Sequence, residues 1–156
     1  MKYSDDQFLE SKVVALVSAL ESLSKNEGIY SKSYPNRQRT KPSTVTLKDR
    51  LWGLVLQLPT QIKELIVPNP AAFVEDAKEA RNGISHTGET PIPADDLYGV
   101  VTTIEHFIAA YLLLKLGIEP SILKKRFMEY GPSRHKIEHL RKHYVVDHSS
   151  QQKDSV

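Results

Sequence analysis

Ala94-Asp-Asp-Leu-Tyr-Gly-Val-Val-Thr-Thr-Ile-Glu-His-Phe-Ile-Ala-Ala-Tyr-Leu-Leu-Leu-Lys-Leu116 decides the fold. Leu97, Val100, Val101, Ile104, Phe107, Ile108, Tyr111, Leu112 and Leu114 cover well over half the circumference of a helix over 94–116. Such a helix must be buried on most sides, at the centre of a helical bundle or partly in a dimer interface. Asp95 and Asp96 fall in its first turn, where carboxylates complement the macrodipole, and Gly117 stops it.

Elements that can surround this helix lie on both sides. Leu9, Val13, Leu16, Leu20 and Leu23 recur every three or four residues and predict a helix over 5–26, with Ser4 as N-cap and Asn26 and Gly28 as stops. Within it Glu21 reads as an exposed acid or as a partner for a base elsewhere. Leu47, Leu51, Leu54, Val55 and Leu58 predict a second helix over 44–58, with Trp52 at the core edge. A short helix follows over 61–67. Asn69 and Pro70 then open a helix through Phe73, Ala77, Ala80 and Ile84, with Glu75, Asp76, Lys78 and Glu79 on its solvent side. Asn82-Gly83 signals a turn, so the helix either ends there or runs on to His86. Ile122, Leu123, Phe127 and Met128 mark a shorter helix, Gly131-Pro132 breaks it, and 133–144 forms a basic helix. No strand alternation competes. The fold expected is all-α, an antiparallel bundle of four to five main helices over residues 1–130. Residues 131–156 are expected to form a basic, His-rich, partly disordered C-terminal tail.

At 156 residues one domain is expected. No apolar run reaches the ~18 residues of a membrane span. The first residues lack a secretory signal, and cysteine is absent, which removes disulfides and thiolate metal sites and suits a cytoplasmic protein. Charge is segregated: residues 31–50 carry +5 and residues 119–156 carry +3, whereas 51–118 carry −4. In the loop 28–42, Tyr30 and Tyr34 interleave with Lys32, Arg37, Arg39 and Lys41, so bases could stack on the rings while the cations hold phosphates. His135, His139 and His143 recur every four residues, but no further ligand accompanies them, and no metal or cofactor is expected.

The chemistry-bearing stretch is Arg81-Asn82-Gly83-Ile84-Ser85-His86. Histidine, with an ordinary pKa of about 6.5, exchanges protons near neutrality. Arginine presents a planar, permanently charged fork to two phosphate oxygens. Asparagine can orient the histidine ring or the phosphate. Together they suit metal-free phosphodiester cleavage, but one histidine cannot be base and acid at once. A twofold dimer would supply the second copy.

Arg81-Asn82 followed by His86 resembles the Arg, four to six residues, His motif of HEPN domains. Leu20-Glu21-Ser22-Leu23, Leu51-Trp52-Gly53-Leu54, the helix Phe73–Ala80 leading into the motif, and Leu113-Leu114-Lys115-Leu116-Gly117 are similar to the ApeA-like subgroup, over roughly residues 7–130. The resemblance implies a homodimeric, metal-independent endoribonuclease of anti-phage defence or toxin systems. In it Arg81 would stabilise phosphate, His86 transfer protons and Asn82 support the geometry. It also implies an N-terminal sensor domain or a separate regulator. The toxin subgroup with a Tyr two residues past the His is not matched, because Gly88 stands there. The alternative is a non-catalytic helical module that dimerises or binds a partner or RNA, with Arg81 paired to Glu21 or Asp76.

Overall fold

The computed structural model describes residues 5–35, 43–142 and 144. These form seven helices and, among the described residues, no strand: α1 (Asp5–Glu27), α2 (Leu47–Gln57), α3 (Thr60–Ile66), α4 (Pro70–Thr87), α5 (Ala94–Lys115), α6 (Pro120–Glu129) and α7 (Gly131–Lys142). The expected cap at Ser4 lies outside the described residues.

Helix α5 is the hub, packed against α1, α3, α4, α6 and α7. Leu97, Val100, Ile104, Phe107 and Ala110 on it are all but fully buried. Taken as a unit, its 22 residues are long and apolar enough to cross a membrane, which corrects the reading that no such segment exists. Its apolarity is explained by neighbours on many sides. Lys12 on α1 meets Glu105 on α5 at 2.5 Å, and further along Glu27 meets Lys115 at 3.1 Å. The two helices therefore run in the same direction.

Helix α2 starts on a capping box. Thr46 accepts from the Asp49 backbone N–H, and the Asp49 carboxylate accepts from the Thr46 N–H. That box sets the start at Leu47 rather than at 44. Leu51, Leu54, Val55 and Leu58 are buried as expected. Trp52 sits at the core edge, its Nε1 donating to Ser33 Oγ at 3.1 Å and its ring meeting Tyr34 edge-on. At Gly53 the loop after α1 crosses so closely that a Cβ would stand 2.5 Å from Tyr30 Cα.

Helix α4 opens as anticipated, with Asn69 accepting from Ala72 N–H and Pro70 in the first position. Its acidic residues are not all on the solvent side. Asp76 is half-buried with Oδ2 inaccessible, and Glu75 accepts from Tyr34 Oη at 2.6 Å and pairs with Lys48. Asp76 stands three residues after Phe73 and four before Ala80, so helical spacing sets it beside the buried stripe.

Residues 131–142, set apart as a tail on composition, pack as α7 against α3, α5 and α6. Ile137 and Leu140 are 0% exposed, and Tyr144 beyond them is 1% exposed. The Tyr144 ring lies 3.3 Å from where a Cβ on Gly99 would be. Burial, then the Asp76 and Asp96 carboxylates, push its phenol well above the usual range. Residues 145–156 lie outside the described part.

Candidate active site

The motif is carried by the last two turns of α4. The helix does not break at Asn82-Gly83. It continues to Thr87 and stops at Gly88, whose φ of 78° is left-handed and whose N–H donates to Ile84 O. Gly83 serves a close approach instead, since a Cβ there would lie 2.5 Å from Pro91 Cδ and 2.8 Å from Glu89 O. The return loop therefore lies directly on the motif helix. Thr87 Oγ1, at the helix end, lies 2.8 Å from Gly83 O within the helix and 3.1 Å from Glu89 O in the loop, and so joins the two.

An uninterrupted helix fixes the angular relations. Asn82 and His86 lie one turn apart, on the side away from the buried Phe73, Ala77 and Ala80. His86 is exposed and Asn82 half-exposed. Arg81 is rotated about 100° from Asn82 and about 140° from His86. It turns toward α1, where Nη2 lies 3.7 Å from Glu21 Oε2, while Nη1 donates to Asn82 Oδ1 at 3.3 Å.

Glu21 is the acid whose role the sequence left open, and it is shared. Lys25, one turn on, reaches it at 2.7 Å. That hydrogen bond, opposed by partial burial and aided by the charges of Lys25, Arg81 and Arg50, holds its carboxyl below the ordinary value. Arg50 reaches the cluster from α2, its Nη1 3.5 Å from Ser24 Oγ. One carboxylate thus faces three cations, and the neighbourhood of Arg81 stays net positive. The sequence reading did not single out Lys25 and Arg50. Lys25 was legible as the i,i+4 partner of Glu21, whereas nothing local in the sequence points Arg50 at α1.

Of the suggested RNA contacts, Arg37, Arg39 and Lys41 lie outside the described residues, and Lys32 is half-buried. Tyr34 is no stacking platform: it is 5% exposed and committed to Glu75, with burial and then that carboxylate raising its phenol. Tyr30 keeps 52% of its surface exposed. His135 sits 3.9 Å from Glu138 and His139 packs edge-on against Tyr98, while His143 is outside the described residues. Among the described residues no group of side chains could hold a metal ion. The buried His106 was also missed. Its Nδ1 lies 2.8 Å from Thr102 O and its ring meets Phe127 edge-on, so it is core.

The model of the ApeA-like HEPN family matches residues 3–121. The chain belongs to the ApeA-like HEPN family. No curated protein and no solved structure gave a match. The matched span includes α1, α2, α4 and α5, and so every residue of the Arg81 cluster. The all-helical architecture agrees with that membership. Gly88 ends α4 in a left-handed conformation, so a tyrosine at this HEPN position would strain the backbone.

Proposed function

We propose that this HEPN chain is a metal-independent endoribonuclease acting as a homodimer, with a composite site built from Arg81, Asn82 and His86 of both copies. The observation that carries the reading is the continuous helix through Gly83. It keeps Asn82 and His86 on one exposed face and turns Arg81 toward a cluster of cations. In the reaction the ribose 2′-oxygen bonds to phosphorus and the bond to the 5′-oxygen breaks. The products are a 2′,3′-cyclic phosphate and a free 5′-hydroxyl. One His86 takes the 2′-hydroxyl proton, and the His86 of the second copy protonates the leaving oxygen. Arg81 stabilises the charge on the pentacoordinate phosphorus, and Asn82 holds the guanidinium through Oδ1. In keeping with the HEPN resemblance, we assign the activity to anti-phage defence or a toxin system in the cytoplasm. There a sensor domain or a separate regulator restrains it.

The test is incubation of the purified chain with single-stranded RNA in chelator, beside His86→Ala and Arg81→Ala. Cleavage by the wild type and loss in both variants is expected. Equal cleavage by all three, or an inert wild type, removes the assignment.

One observation favours a second reading, a non-catalytic docking module: Arg81 is paired with Glu21 within the chain. That reading requires the pair to matter for folding. At 3.7 Å, with side chains 35% and 21% exposed and Glu21 also held by Lys25, it is worth under about 1 kcal/mol. Stability is therefore a weak reason for an arginine here.

A further inference from the structure

The surface next to Arg81 carries features that the cleavage chemistry does not use. Lys25 lies in the last turn of α1, the end that favours cations. After Gly28, left-handed at φ 67°, the chain folds back, with Ile29 N–H donating to Ser24 O at 2.9 Å. Tyr30 follows at once, and its backbone lies on α2 at Gly53. Arg50 stands three residues before Gly53 and shares that face of α2. Ser31 N–H donates to Asp49 O at 2.8 Å, which fixes the loop to α2 beside Arg50. Arg81, Glu21, Lys25 and Arg50 thus cluster beside the motif helix, and the loop with the exposed Tyr30 is fixed to α2 at Asp49, the residue before Arg50.

We propose that Lys25, Arg50 and Tyr30 form a subsite for single-stranded RNA that extends from the scissile phosphate at Arg81. Lys25 and Arg50 hold backbone phosphates, and the Tyr30 ring stacks an unpaired base. Glu21 is a positioning residue, which spaces the three cations and leaves them in net excess. A duplex keeps its bases stacked on each other, so it gains nothing from Tyr30. Gly53 has a role in this, because only a residue without Cβ lets the Tyr30 backbone lie on α2. The subsite rests on the ribonuclease reading for its substrate, but its binding can be measured apart from cleavage.

The experiment follows binding of the full chain to a short single-stranded RNA with every 2′-hydroxyl methylated, which blocks the attack. Fluorescence anisotropy is recorded across a salt series for wild type, Lys25→Gln, Arg50→Gln and Tyr30→Ala. Each glutamine variant is expected to flatten the slope of log affinity against log salt by about 0.7. Tyr30→Ala is expected to weaken binding about fivefold or more at every salt with the slope unchanged. Lys25 and Tyr30 are exposed, so their variants carry the test should Arg50→Gln fail to fold. Variants that fold and bind like wild type overturn the subsite, as does a wild type that prefers duplex RNA or binds neither form. Unmodified RNA is assayed in parallel. If the wild type cleaves nothing while the variants lose binding, the ribonuclease reading falls and the subsite stands. If the wild type cleaves and the variants bind normally, the subsite alone falls.

Discussion

Arg81 on α4 and Glu21 on α1 face each other at 3.7 Å, and Glu21 is at the same time within 2.7 Å of Lys25. The carboxylate orients the arginine without neutralising the region. Glu21→Gln keeps the shape and removes the charge. It is expected to lower the unfolding free energy by less than about 1 kcal/mol, since the Arg81 contact is long and Lys25 is exposed. In the proposed enzyme it should lower kcat more than it raises KM, because the guanidinium loses its orientation at the phosphorus. A steady-state analysis of RNA cleavage checks this, with Glu21→Asp expected to recover part of kcat.

The proposed chemistry needs the His86 of both copies at one phosphate, so a dimer with a single His86 should be inactive. Mixing wild type with an equal amount of His86→Ala and allowing exchange should therefore lower the activity below that of the wild type alone. Half the dimers are then mixed and a quarter are wild type, so about half of the activity of the added wild type is expected. Activity unchanged by the mixing would place a complete site in one chain and remove the composite site.

Gly83→Ala separates local propensity from packing. Alanine favours a helix over glycine by about 1 kcal/mol. The added Cβ, however, would lie 2.5 Å from Pro91 Cδ and 2.8 Å from Glu89 O. The clash should win, with a net loss of about 1–3 kcal/mol in urea unfolding and displacement of the loop over 88–93. A stabilised variant would show that the loop does not rest on the helix.

Stability should fall with acid in two stages. Burial holds the folded-state pKa of His106 below its ordinary 6.5. Below pH 6.5 the unfolded chain then binds more protons than the folded one, so stability begins to drop there. Burial would raise Glu105, but Lys12 and Lys136 hold it lowered, and hydrogen bonds from Lys48 and Tyr34 do the same for Glu75. Together with Glu21 they contribute stability above pH 4.5 that is lost as pH falls through their folded-state values. Urea midpoints across pH should show both stages, and His106→Leu should flatten the one that begins near pH 6.5.

The fold was legible because helical periodicity is written in the residues that pack. Asn69-Pro70 marked the start of α4, and Gly117 the end of α5. What local sequence could not show is what a residue meets from afar. Asn82-Gly83 has turn chemistry, yet a return loop lies on Gly83 and the helix runs through. Tyr34 looked like a free aromatic among bases, yet Glu75, 41 residues away, accepts its hydroxyl. Asp76 and Tyr144 each stood on a readable apolar stripe. Asp76 reads as a solvent-side acid from its residue type, and Tyr144 was not singled out. For the candidate site, the motif and Glu21 could be seen in the chain, whereas Arg50 joins them only through the packing of α2 on α1.

The family likeness stops at residue 121, after the motif and its supporting helices are complete. The interior does not stop there: Leu123, Phe127, Ile137, Leu140 and Tyr144 all belong to it. A chain cut at the limit of likeness would carry every signature residue. It would also bare His106, leave Gly99 facing an empty slot and strip one side of α5, the helix whose apolarity depends on being surrounded. Inheritance and folding thus draw different borders through one polypeptide.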